Sequence, residues 1–120
     1  MHSHPEAADT LIVGAQLYDG TGAPPVERDV AVRDGRIAAI GNLSNWLAED
    51  VVEANGRALA PGFIDVHTHD DTHVIRSPQM LPKITQGVTT VIVGNCGISA
   101  SPVALKGDPP DPMNLLGERD

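Results

Sequence analysis

The run Val88-Thr89-Thr90-Val91-Ile92-Val93 constrains this chain more than any other feature. It is β-branched throughout and does not alternate with polar residues. Such a run predicts a strand buried on both faces, the signature of a parallel sheet in an α/β architecture. A second short apolar stretch, Phe63 to Val66, follows the Pro61-Gly62 break. Between the two, Ser77 to Thr85 accommodates one helix or two short ones. Pro82 suits a first helical position and Gly87 a C-terminal stop. The order strand, connection, helix, strand over residues 63–93 is one βαβ unit.

Residues 9–60 read differently, as short strands separated by turns. Thr10 to Val13 is an apolar run ended by Gly14, and Leu17-Tyr18 precedes the turn cluster Asp19-Gly20 and Gly22. Asp29 to Arg33 alternates polar and apolar, and Arg36 to Ile40 does so less cleanly. Asp34-Gly35 between them predicts a hairpin with a type I′ turn. Val51 to Glu53 and Arg57 to Ala60 flank Asn55-Gly56, which predicts a second hairpin. Asn42 to Asp50 is less regular and accommodates a short helical turn or a loop around Trp46. Residues 94–120 are turn-rich, with Pro102, Pro109, Pro110 and Pro112. Asp111-Pro112 suits the cap and first turn of a helix.

Composition excludes several classes. Eight Lys and Arg against 16 Asp and Glu give a formal charge of -8 over 120 residues, with no basic cluster. That balance argues against a nucleic-acid surface and against binding to an anionic membrane. No apolar run reaches the roughly 18 residues of a membrane span. One cysteine, Cys96, excludes an intrachain disulfide. The first ten residues lack an apolar core of the secretory type, so the expected location is the cytoplasm. Residues 1–8 read as a flexible polar leader in which His2 and His4 are incidental.

The chemistry lies at the ends of the two βαβ strands. His67-x-His69 follows Phe63 to Val66, and in a strand the side chains of i and i+2 share a face. Two imidazoles on one face can converge on a metal ion, whereas a lone pair could simply face the solvent. Asp65, Asp70 and Asp71 surround the pair and could orient the ring nitrogens. Cys96 follows the second strand, and parallel strands put both C-terminal ends on one side, where α/β folds build sites. A thiolate with imidazoles suits Zn2+. From the residues alone Cys96 could equally be a small buried apolar side chain, or a nucleophile with His67 or His69 as base. His73 is expected at the surface or in support of the site. Asp65, a carboxylate in an apolar strand, is expected to take hydrogen bonds near the strand end.

These residues carry a resemblance. PGFIDVHTHDD at 61–71 and TQGVTTVIVGNCGIS at 85–99 resemble the metal-dependent amidohydrolase superfamily, and within it the N-acyl-D-amino-acid deacylases, or D-aminoacylases. LIVGAQLYDGTG at 11–22 and DVAVRDGRIAAIG at 29–41 continue the similarity. It implies an α/β TIM barrel, (β/α)8, with a small β-sandwich domain. Residues 9–60 would form the N-terminal part of the sandwich and 61–120 the start of the barrel. It implies His67, His69 and Cys96 as metal ligands and Zn2+ as cofactor. The implied activity is hydrolysis of a small-molecule N-acyl-D-amino acid to a carboxylate and a D-amino acid.

The resemblance also implies two later histidines and a general-base aspartate at the last barrel strand. No histidine follows Cys96 in this sequence. A barrel takes about 250 residues, so the chain supplies about two of its eight strands. It is therefore expected to be the N-terminal fragment of a longer enzyme, inactive by itself. Two other readings compete. One is an amidohydrolase acting on cyclic amides, of the dihydropyrimidinase or dihydroorotase kind. The other is a non-catalytic small metal-binding protein.

Overall fold

The computed structural model describes residues 6–100, 104, 106–108 and 110–116. The chain divides into two compact units, Met1–Pro61 and Gly62–Asp120. His2 and His4 lie outside the described residues.

The first unit is one mixed sheet of five strands. These are β1 (Ala7–Leu17), β2 (Val26–Arg33), β3 (Arg36–Gly41), β4 (Leu47–Glu53) and β5 (Ala58–Leu59), in the order β3-β2-β1-β4, with β5 also on β1. The hairpin predicted at Asp34-Gly35 is present. Both residues have positive φ, 53° and 67°, as a type I′ turn requires. Strand β1 is longer than the apolar run suggests, because it passes through Gly14 rather than stopping there. Its register against β2 shifts between Ile12 and Ala15, with Gly14 at φ 64°. A glycine in the left-handed region lets a strand absorb one extra residue as a bulge. Asp29 holds that bulge, accepting the Gly14 N–H at 2.9 Å and the Leu43 N–H at 3.0 Å.

The second predicted hairpin does not form. Asn55-Gly56 does make a tight turn, with φ 52° and 76°. Yet β4 and β5 do not pair with each other; each runs parallel to β1. The cause is the long second edge of β1, whose backbone groups need partners once β2 covers the first edge. Ala54 N–H bonds the Val13 carbonyl at 2.9 Å, Gly56 N–H the Gly14 carbonyl at 2.8 Å, and Gln16 N–H the Arg57 carbonyl at 3.0 Å. The turn is thus a kink matched to the bulge of β1, and the chain keeps its direction. Two smaller differences follow from the same edge. Ala7 and Ala8 pair with Leu47 and Ala48 and so are strand, not leader. The loop around Trp46 is shorter than expected, since β4 begins at Leu47.

One face of this sheet buries Ala8, Leu11, Ala31 and Leu43, with Val13, Ala39, Trp46 and Ala48 packed against them. The opposite face presents Ile12, Val30, Val32, Ile37, Ile40 and Leu59 around an open groove of about 310 Å³. Ile37 and Ile40 share that face because β3 carries an irregularity opposite Ala31 and Val32.

The second unit contains β6 (Phe63–Asp65), α1 (His73–Arg76), α2 (Leu81–Ile84) and β7 (Val88–Val91). Strands β6 and β7 are parallel, with Phe63 opposite Val88 and Asp65 opposite Val91. Helix α1 lies wholly before the expected span, which opens at Ser77, and only α2 falls within it. Helix α2 has Pro82 in its first turn, and Gly87 ends the segment at φ 80°. Residues 113–116 form only a short 3-10 turn in place of the predicted helix. Strand β7 is not buried on both faces. Thr89 and Thr90 are exposed, and so are Ile92 and Val93 just beyond the strand, because a two-stranded sheet has no further layer to cover it among the described residues. No helix among the described residues is long and apolar enough to cross a membrane.

Candidate metal centre

The site lies within the second unit, where both parallel strands end. His67 and His69 come just after β6, in a segment without regular structure from Val66 to Asp70. Strict strand alternation therefore does not set their facing. Their rings nevertheless meet edge to face, with centroids 5.8 Å apart and planes at 74°. Cys96 sits in a 3-10 turn over Asn95–Gly97, and its Sγ is 3.4 Å from His67 Nε2. One ligand atom from each of His67, His69 and Cys96 lies within 4.8 Å of the other two.

The donor set fits a zinc ion. Around a tetrahedral zinc with ordinary bond lengths, a thiolate sulfur and an imidazole nitrogen stand about 3.6 Å apart. All three side chains are exposed, which leaves room for further ligands. The Cys96–His67 contact alone would also fit a thiol passing its proton to the ring. The second imidazole on the same point favours a shared cation.

The backbone at Cys96 is unusual. It has φ 59°, between Gly94 at 80° and Gly97 at 73°. A non-glycine residue in the left-handed region costs about 1–2 kcal/mol and needs a surrounding that enforces it. The surrounding is visible. Asn95 Nδ2 donates to the Ile92 carbonyl at 2.7 Å and to the Thr68 carbonyl at 3.2 Å. The Asp71 carboxylate, only 6% exposed, accepts the Gly94 N–H at 3.5 Å and the Ala100 N–H at 3.2 Å. Both bonds join the cysteine loop to the histidine segment.

The neighbouring acids are organised by one cation. Lys83 Nζ, from α2, lies 2.6 Å from Asp65 Oδ2 and 2.9 Å from Asp70 Oδ2. Asp65 also accepts the His67 N–H at 3.2 Å, and Asp70 accepts the Thr68 hydroxyl at 2.5 Å. The hydrogen bond from Lys83 holds the Asp65 carboxyl below the ordinary carboxylate range, with help from the His67 N–H. For Asp70 the Thr68 hydroxyl does most of this, followed by Lys83. In return, Asp65 and then Asp70 push the Lys83 ammonium up from its usual value.

The structure brings together the three predicted side chains. His73, at the start of α1, is not one of the converging group. Sequence reasoning missed Lys83 and Asn95. For Lys83 a signal existed: acids at 65 and 70 beside an apolar strand need a counter-charge.

Residues 50–118 match the family described as the amidohydrolase family. N-acyl-D-aspartate deacylase of Alcaligenes xylosoxydans xylosoxydans is 51% identical over 113 residues, which is 94% of this chain and 22% of the relative. D-aminoacylase of the same organism is 52% identical over 110 residues, 92% of this chain and 22% of the relative. The crystal structure of N-acyl-D-glutamate deacylase from Bordetella bronchiseptica, complexed with zinc and a phosphonate inhibitor, superposes with a TM-score of 0.87 at 50% identity. It covers 95% of this chain and 24% of that one.

The chain belongs to the amidohydrolase family. Strands β6 and β7 are part of that family's TIM-barrel fold. Within that family it is similar in sequence to the N-acyl-D-aspartate deacylase and the D-aminoacylase named above. It spans under a quarter of the length of these relatives.

Proposed function

We propose that the whole protein hydrolyses the amide bond of N-acyl-D-amino acids, releasing a carboxylate and a free D-amino acid, at a zinc centre that includes His67, His69 and Cys96. The observation that carries this reading is the convergence of two imidazoles and one thiol within 4.8 Å in a chain 51% identical to an N-acyl-D-aspartate deacylase. Bound zinc lowers the pKa of water and polarises an amide carbonyl. The residues of this chain supply the donor set and hold its geometry through Asp65, Asp71 and Asn95.

In this reading residues 9–60 are the N-terminal part of a β-sandwich domain and 61–120 the start of the barrel. The apolar groove around Ile12, Val30 and Ile40 supports the first assignment, since a sandwich covers such a face with a second sheet. A cytoplasmic location is part of the proposal. The single thiol at Cys96, unpaired and exposed, suits a reducing compartment.

The test is release of D-amino acid from N-acetyl-D-aspartate, N-acetyl-D-glutamate and N-acetyl-D-methionine by the zinc-loaded whole protein, with the L-isomers as controls. Turnover of a D-isomer alone, abolished by His67→Ala, is the expected result. Turnover of cyclic amides in place of these substrates overturns it.

A further inference from the structure

Beyond the three converging side chains, Lys83 has the most concentrated set of contacts near the site. Its ammonium reaches Asp65 at 2.6 Å, Asp70 at 2.9 Å and the Thr68 hydroxyl at 3.3 Å. These acceptors are spread along the segment that carries the histidines. Asp65 lies two residues before His67, Thr68 lies between the pair, and Asp70 directly follows His69. One side chain on α2 thus grips that segment in front of the pair, inside it and behind it. No strand ladder or helix holds residues 66–70. Asp65 carries the grip to the backbone of the first histidine by accepting its N–H. The Lys83 side chain is only 25% exposed, so its ion pairs are partly shielded from water.

We propose that Lys83 is a positioning residue of the metal centre, holding His67 and His69 at the separation a metal ion needs by way of Asp65, Thr68 and Asp70. The inference rests on the metal reading above. It has a sign opposite to the simple charge effect. An ammonium near a cation site repels the cation, so its removal by charge alone would tighten binding. Loss of a group that orients ligands weakens it.

The probe is cobalt(II), titrated into the purified, metal-free whole protein while the thiolate-to-metal absorption of Cys96 is recorded. Lys83→Met is expected to weaken cobalt binding about 10- to 100-fold, the usual effect of removing a residue that orients ligands. Lys83→Arg keeps a charge that can grip both carboxylates and is expected to bind within about threefold of the wild type. Equal or tighter binding by Lys83→Met overturns the proposal. If Lys83→Met loses the far-ultraviolet circular dichroism of the wild type, Asp70→Asn carries the test. It removes one arm of the grip, and an unchanged cobalt affinity there also overturns the proposal. A wild-type chain that gives no thiolate band with cobalt overturns the metal reading itself, and the role of Lys83 with it.

Discussion

The Asn95 side-chain amide donates to the carbonyl of Thr68, the residue between the two histidines, at 3.2 Å. The same amide donates to the Ile92 carbonyl at 2.7 Å, so one side chain fixes the end of β7 against the histidine segment. Cys96 is the next residue in the chain. The expected consequence is that Asn95→Ala weakens zinc binding about tenfold while leaving all three proposed ligand side chains in place. Competition with a chromophoric chelator measures this. Unchanged zinc affinity would mean that the loop is held by Asp71 alone.

In the proposed zinc centre Cys96 combines a ligand's role with a left-handed backbone at φ 59°. The two separate in a pair of variants. Cys96→Ala and Cys96→Gly both remove the thiolate and should lose zinc affinity equally. Glycine carries no penalty in this region, so Cys96→Gly should be about 1 kcal/mol more stable than Cys96→Ala. Urea unfolding of the two variants tests it, and equal stability would show that the loop relaxes once the sulfur is gone.

Gly62 sits where a Cβ atom would overlap the Thr89 side chain of the neighbouring strand. Gly62→Ala should destabilise the second unit by about 1–3 kcal/mol through this overlap. Thr89→Ala in the same chain should restore part of the loss, because it removes Oγ1 and Cγ2, the two nearest atoms, and leaves only Cβ in close contact. The coupling between the two sites, measured as a double-mutant cycle, is the decisive quantity. Purely additive effects would rule out the contact.

The Asp65–Lys83–Asp70 group makes stability depend on pH at both ends of the scale. Lys83 is raised in the folded chain by its bonds to Asp65 and Asp70. Its contribution is therefore complete below its unfolded value of about 10.4 and fades as pH rises through the higher folded value. Asp65 is lowered chiefly by Lys83, and Asp70 chiefly by Thr68. Their contributions are complete above about 3.9 and fade as pH falls through the lower folded values. Thermal unfolding across the pH range should show a plateau between these limits. Lys83→Met should remove the alkaline decline and shrink the acid one, whose lower end rises toward the unfolded carboxylate value. An acid decline of unchanged size would mean that the carboxylates gain little from the ammonium.

Two Asx-Gly pairs show how far local chemistry carries. Asp34-Gly35 and Asn55-Gly56 both place two residues at positive φ. The first joins two strands that pair with each other, and the second joins two that both pair with β1. Turn residues specify the dihedral angles of the turn, but not which backbone edge stands open beside it. The long apolar run at 88–93 was legible as a strand for a similar reason, since β-branched side chains restrict their own backbone. Its burial was not, because burial depends on layers beyond the strand itself.

The types of the site residues and their order are legible from the residues alone: a histidine pair after one apolar strand, a cysteine between glycines after the next, and acids flanking the pair. Those are local properties of side chains and of positions along the chain. The three-dimensional fold is what places Cys96 Sγ 3.4 Å from His67 Nε2 across 29 residues of sequence. It alone decided that Lys83 is the partner of two carboxylates 13 and 18 residues away. The parallel pairing of β6 with β7 brings both strand ends to one side, and the intervening helix delivers the lysine there. Distances between remote residues are set by pairing and packing, which no single residue encodes.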